Sequence, residues 1–177
     1  MQQLWALFLR EFRSYFRSFL AFMVFFVYLF VSIGSSFYFG SYLGMHDTAL
    51  YALFYAQPII LAVLIPALSM RLWSEEYRLG TIEFLLTQPI KIMYLVLAKY
   101  LALLLFCLLM TIFLLPFVFY SSGWLKIDWQ NIVSDYVGLG LSLAALCAVG
   151  SFISSLSRSM IVSYLTGFLF SALLVVI

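Results

Sequence analysis

Charge is scarce in this sequence. Only 9% of its 177 residues are Asp, Glu, Lys or Arg, against about a quarter in a soluble domain. Histidine occurs once, at His46, in a short loop with no second ligand candidate nearby, so no metal site is expected there. The two cysteines, Cys107 and Cys147, fall inside apolar runs and read as buried free thiols, with neither a disulfide nor a metal role. No glycine-rich phosphate loop ending in lysine occurs, so the chain is not expected to hydrolyse a nucleotide by itself. The short alternating segments of a transmembrane barrel are missing, as are internal repeats and low-complexity linkers.

What is present is apolar surface. Hydrophobic residues make up 66% of the chain, and the mean hydropathy is +1.14. Several uncharged runs exceed the roughly 18 residues that mark a membrane span. The fold class is therefore an all-α polytopic membrane protein, with almost every residue spent on spans and short loops.

Residues 1–17 form an amphipathic segment. Arg10, Arg13, Ser14 and Arg17 recur on one side at helical spacing, and Leu4, Trp5, Leu7, Phe8, Phe12, Tyr15 and Phe16 cover the rest. That pattern predicts a helix lying in the membrane interface. The charged start of a signal peptide is the alternative, but the next apolar run is too long for one. Five spans are expected, at about 19–39, 48–70, 90–120, 136–153 and 160–177. The second carries Gln57, Pro58 and Pro66, and the third carries Pro116 near its far end. Proline inside a span kinks it and frees a carbonyl. Gln57 is the one amide of the second span, a candidate for an interhelical hydrogen bond or for a substrate path. The fourth span is rich in Gly, Ala and Ser, which permits close helix contact. Residues 121–135 and 40–47 are expected as polar loops, and 154–159 as a tight turn.

Between the second and third spans lies the stretch around which the chain is organised, residues 71–90. It holds Arg71, Glu75, Glu76, Arg78 and Glu83, five charges in a chain that has few. Such a cluster must face water. Gly80 suits the position just beyond a helix C-terminus. Thr81 suits an N-cap, with Glu83 in the first turn of the next helix. The second span should thus run on as a charged helix to about Leu79, and a short helix should come next, at about 82–86. Ile82, Phe84, Leu85 and Leu86 are more apolar than a plain topology loop needs. They suit a lipid surface or a groove on a protein partner.

Lys and Arg placement predicts the orientation. Arg10, Arg13, Arg17, Arg71, Arg78, Lys91, Lys99 and Arg158 fall in segments that alternation puts on one side, and only Lys126 falls on the other. By the positive-inside rule, the N-terminus and the 71–90 segment are cytoplasmic.

The stretch from Trp73 to Ile90, containing Glu76-Tyr77-Arg78-Leu79-Gly80-Thr81-Ile82-Glu83-Phe84-Leu85-Leu86-Thr87-Gln88-Pro89, resembles the E-x-x-x-G-T-(I/L)-E-x-L-L-x-x-P segment of ABC-2 type transporter permeases. The likeness is nearest to the bacterial gliding-motility and copper-maturation subgroup. Arg10-Glu11-Phe12-Arg13-Ser14-Tyr15-Phe16 is similar to the opening helix of that family. The resemblance implies a single transmembrane domain over 1–177 and a half-transporter in the bacterial inner membrane. The half-transporter pairs with a second permease subunit and with cytoplasmic ATP-binding subunits. ATP and Mg would sit on those partners, with no cofactor on this chain and no nucleic acid. It implies that 71–90 holds the helix that couples to the ATPase, with Glu75, Glu76, Arg78, Gly80, Thr81, Ile82 and Glu83 carrying the contact. It also implies six spans, so the expectation is that the sequence stops within or after its fifth.

Two other classes compete with this one. A membrane enzyme needs a nucleophile and base, or paired carboxylates, at membrane depth. All seven acidic residues fall in or beside loops. A non-transporting scaffold would recruit a soluble partner through the same 71–90 segment. Spans rich in Phe, Tyr and Leu suit an amphiphilic substrate, and suit contact with lipid equally. Characterised members of the family are mostly exporters, and short outer loops speak against an importer with a docked binding protein.

Overall fold

The computed structural model describes residues 2–42, 49–81, 92–124 and 129–176. Among them the chain is helical and consists of α1 (Gln2–Arg17), α2 (Phe19–Tyr42), α3 (Ala49–Leu79), α4 (Ile92–Ile112), α5 (Leu115–Trp124), α6 (Trp129–Leu156) and α7 (Met160–Val176). By length and composition four segments are able to cross a membrane: Phe19–Tyr38, Leu53–Leu79, Ile92–Tyr120 and Trp129–Leu156. The apolar α7 is shorter, at 17 residues or about 25 Å.

Local chemistry sets the helix boundaries. Ser18 separates α1 from α2. Its hydroxyl accepts a hydrogen bond from the Ala21 amide, three residues on, which makes it the N-cap of α2. The third span is broken at Phe113 and Leu114, just before Pro116. Pro116 cannot donate to the Ile112 carbonyl and its ring crowds it, so α4 ends at Ile112 and α5 starts afresh.

The expected loop at 121–135 needs correction. Residues Trp129 to Asp135 are helical, so α6 starts seven residues before the expected Tyr136. Ile132 is the reason: it is buried against Val118 of α5, which draws this first turn into the bundle. At the other end α6 continues to Leu156, which shortens the expected turn to residues 157–159.

α3 is the hub, packed against α2, α4, α6 and α7. It stays one helix through Pro58 and Pro66. Pro66 removes the amide that would bond the Ala62 carbonyl. Ser171 of α7 donates to that carbonyl at 2.7 Å. One turn earlier, Gly167 lies against the Pro66 ring, where an added Cβ would come within 3.3 Å. On the α6 side, Gly150 leaves room for Ser69, whose Oγ an added Cβ would meet at 2.6 Å. Further along, the Trp73 amide donates to Ser154 Oγ at 3.2 Å, and Ser74 Oγ lies 2.9 Å from the Ser157 carbonyl it donates to. Small residues and hydroxyls let these helices approach closely.

Matched contacts give the helix directions. Tyr28 meets Gln57 and Ser18 meets Arg71, so α2 and α3 are antiparallel. Leu7 packs on Leu95 and Ala98, Glu11 meets Lys99, and Tyr15 stacks on Phe106. α1 therefore runs alongside the first half of α4, in the same direction. Around this frame the core joins Tyr28, Leu61, Ile65, Leu103, Phe106 and Leu143, with the free thiols Cys107 and Cys147 buried in it. The outer surface carries Phe19, Phe26, Phe30, Leu141, Phe152 and Leu169, as lipid-facing helices require.

Candidate functional site

Among the described residues every charge but Asp135 gathers at one end, where α1, the end of α3 and the start of α4 meet. Lys99 is the centre. It sits in the second turn of α4 and is 2% exposed. Its Nζ donates to Glu76 Oε1 of α3 at 2.7 Å and to Glu11 Oε2 of α1 at 3.4 Å. It also lies 5.4 Å from the centre of the Trp73 ring, within cation–π range. The three N–H donors of one ammonium are thus directed at three groups on α1 and α3.

A buried lysine is tolerated only with such partners. Glu76 needs Lys99 for a second reason. It lies in the last turn of α3, where the helix dipole disfavours a carboxylate. Its second oxygen, Oε2, is buried and meets no hydrogen-bond donor among the described residues.

Next to this triad Arg71 and Glu75 form an i,i+4 pair at 2.8 Å, and Arg71 also donates to the Ser18 hydroxyl. The two groups border a cleft of ≈180 Å³ floored by Leu68, Leu72 and Ala21. The Tyr15 side chain lines it too, and burial pushes its phenol well above the ordinary value.

The residues singled out from sequence divide accordingly. Glu75 is engaged with Arg71, and Glu76 points inward to Lys99. Arg78, Gly80 and Thr81 face outward, with Tyr77 and Leu79 beside them. α3 ends at Leu79, and Gly80 has φ +69°, the left-handed turn that glycine adopts most readily. The Thr81 hydroxyl donates back to the Glu76 carbonyl at 3.4 Å. It helps close the end of α3, while the N-cap expected there for the next helix concerns amides that lie outside the described residues. Ile82 and Glu83, with the short helix expected at 82–86, lie outside the described residues. Gln57 is fully buried and accepts a hydrogen bond from Tyr28 at 2.8 Å, which links α3 to α2.

Lys99, Glu11 and Ser18 were not singled out as site residues. Lys99 and Glu11 are 88 positions apart, so no local spacing betrays their pairing. The signal available was Lys99 itself, a cation well inside an apolar helical run.

A family model described as ABC-2 family transporter protein matches residues 7–174. The chain belongs to the ABC-2 transporter family. No curated protein and no solved structure matches it significantly. As an ABC-2 permease it is the membrane subunit of an ABC transporter, and permeases of this family do not themselves catalyse hydrolysis. The family generally works with an ATP-binding subunit, which gives the charged end of this permease its context. Arg10, Arg13, Arg17, Arg71, Arg78, Lys99 and Arg158 all lie at that end, with the outward-facing tip of α3 among them.

Proposed function

We propose that this permease is one half of an exporter of the bacterial inner membrane. It pairs with a second permease subunit and takes its power stroke from a cytoplasmic ATP-binding subunit, which carries the ATP and Mg. The charged end faces the cytoplasm, in keeping with the positive-inside rule. α1 borders the membrane interface there, with its arginines outward. Residues 71–90 couple to the ATPase, and Arg78, Gly80, Thr81, Ile82 and Glu83 form the contact itself.

The observation that carries this reading is the Lys99 triad. A push on the tip of α3 reaches Glu76 within one turn. From Glu76 it passes through a buried ion pair to α4 and α1, so three helices move together. Glu75 and Glu76 serve the transmission, and the exposed residues after them serve the contact. Closure of a partner becomes rigid-body motion of spans in this way.

The test uses the complete reading frame, tagged and purified gently from its membrane. An ATP-binding subunit should co-purify and should be lost with Glu83→Lys. Substrate should stimulate ATP hydrolysis by the complex. Recovery of the chain with a soluble partner that binds no nucleotide would replace this reading with that of a scaffold using the same segment.

A further inference from the structure

Beside the charged cleft, and sharing Tyr15 with it, a second cavity opens outward between α1, α2 and α4. Its volume is ≈250 Å³ and its lining is wholly apolar. Phe16 comes from α1, Phe22 and Phe25 from α2, and Phe106, Leu109 and Phe113 from α4 and its end. Tyr15, stacked on Phe106 with ring centres 5.1 Å apart, lies between this slot and the charged cleft and lines both. Phe25 and Phe113 close its far end, edge to face at 5.2 Å. From Phe106 to Phe113 the slot is about 10 Å long by helix rise. A cavity with no polar lining does not hold ordered water. It fits a chain of methylenes.

Charge begins next to this slot, where Arg13 and Arg17 line a separate groove along α1. Phe16 is followed at once by Arg17 and by Ser18, the joint at which α1 gives way to the uncharged α2. Arg13 is three residues before Phe16, so the two are neighbours on the helix surface. Arg10 is paired with Glu11 at 2.8 Å. Arg13 and Arg17 are exposed and meet no carboxylate among the described residues.

We propose that the slot and these two arginines form a binding site for one anionic phospholipid of the surrounding membrane, with an acyl chain between the phenylalanines and the phosphate at Arg13 and Arg17. Charge complementarity selects the headgroup, and the dry aromatic walls select a chain. The site does not depend on any ATP-binding partner, so it stands or falls separately from the coupling role of residues 71–90.

Native mass spectrometry of the full-length protein, delipidated and titrated with defined lipids, tests this. Phosphatidylglycerol should be retained roughly thirtyfold better than phosphatidylcholine of the same chains, as expected for two juxtamembrane arginines. The double variant Arg13→Gln, Arg17→Gln should bind both lipids equally. Leu109→Trp, which fills the slot, should lose retention of both, while Leu105→Trp on the exposed side of the same helix should not. Glycerol 3-phosphate, a headgroup without chains, should not compete. Equal retention of the two lipids by the unmodified protein overturns the proposal. So does a preference that survives both sets of substitutions, or competition by glycerol 3-phosphate, which would mean an anion site only.

Discussion

The two faces of α3 from Ala62 onward are held by different chemistry. Toward α6 and α7 the contacts are close and uncharged: Gly150 against Ser69, Gly167 against Pro66, and serine hydroxyls on opposing carbonyls. Toward α1 and α4 Trp73 packs on Leu7, Leu95 and Ala98, and the polar contacts are made at the tips of long charged side chains, beside an open cleft. The first kind fixes the distance between backbones, because a glycine leaves nothing that can give way. The second holds a distance only while every partner is present, and it can be lengthened by changing side-chain torsions. The bundle therefore has a closely packed seam, α3–α6–α7, and a charged edge at which α1 and α4 follow α3 only while the Lys99 triad is intact.

That comparison can be broken most forcefully at Lys99. Lys99→Met leaves Glu76 buried without a counter-charge and takes from Glu11 one of its two cationic partners, Arg10 remaining at 2.8 Å. Loss of one partner from a buried ion pair costs about 3–5 kcal/mol. Thermal unfolding in detergent should show a larger drop for Lys99→Met than for any single change in the packed seam. Adding Glu76→Gln and Glu11→Gln should return most of the stability while leaving transport impaired. If stability and transport recover together, the triad holds the fold and transmits nothing.

The packed seam is probed next by Gly150→Leu, which forces a side chain into Ser69. Overpacking of this kind costs about 1–3 kcal/mol. Gly138→Leu is the control, since an added Cβ there meets nothing within 4 Å. Equal effects of the two on unfolding would show that close approach at Gly150 is not what sets the seam. The smallest expected effect belongs to Ser171→Ala. It leaves the Ala62 carbonyl without its donor, at a cost of about 1 kcal/mol, typical of hydrogen bonds between membrane helices. A cost as large as that of Lys99→Met would erase the distinction between the two faces.

Much of the architecture is legible in the sequence, because hydropathy and punctuation act locally. Uncharged runs mark the spans, and Gly80 marks the end of α3 at Leu79. The start of α6 is hidden because Trp129, Asn131 and Asp135 look like loop residues, while one buried contact, Ile132 on Val118, outweighs them. The site is legible only on its outer side. Arg78, Gly80 and Thr81 can be read as exposed from their spacing. The inward turn of Glu76 cannot, since it is decided by Lys99, 23 positions away on another helix. Family membership over residues 7–174 agrees with the motif at 76–89, which is where the sequence is most specific.

The Pro66 contact also bears on the order in which the protein is made. α3 leaves the ribosome about a hundred residues before Gly167 and Ser171 do. During that interval the Ala62 carbonyl, deprived of its own helix's amide, has no partner from α7. Hydrocarbon offers none either. The nascent bundle thus carries a polar defect in its hub helix that only the arrival of α7 removes.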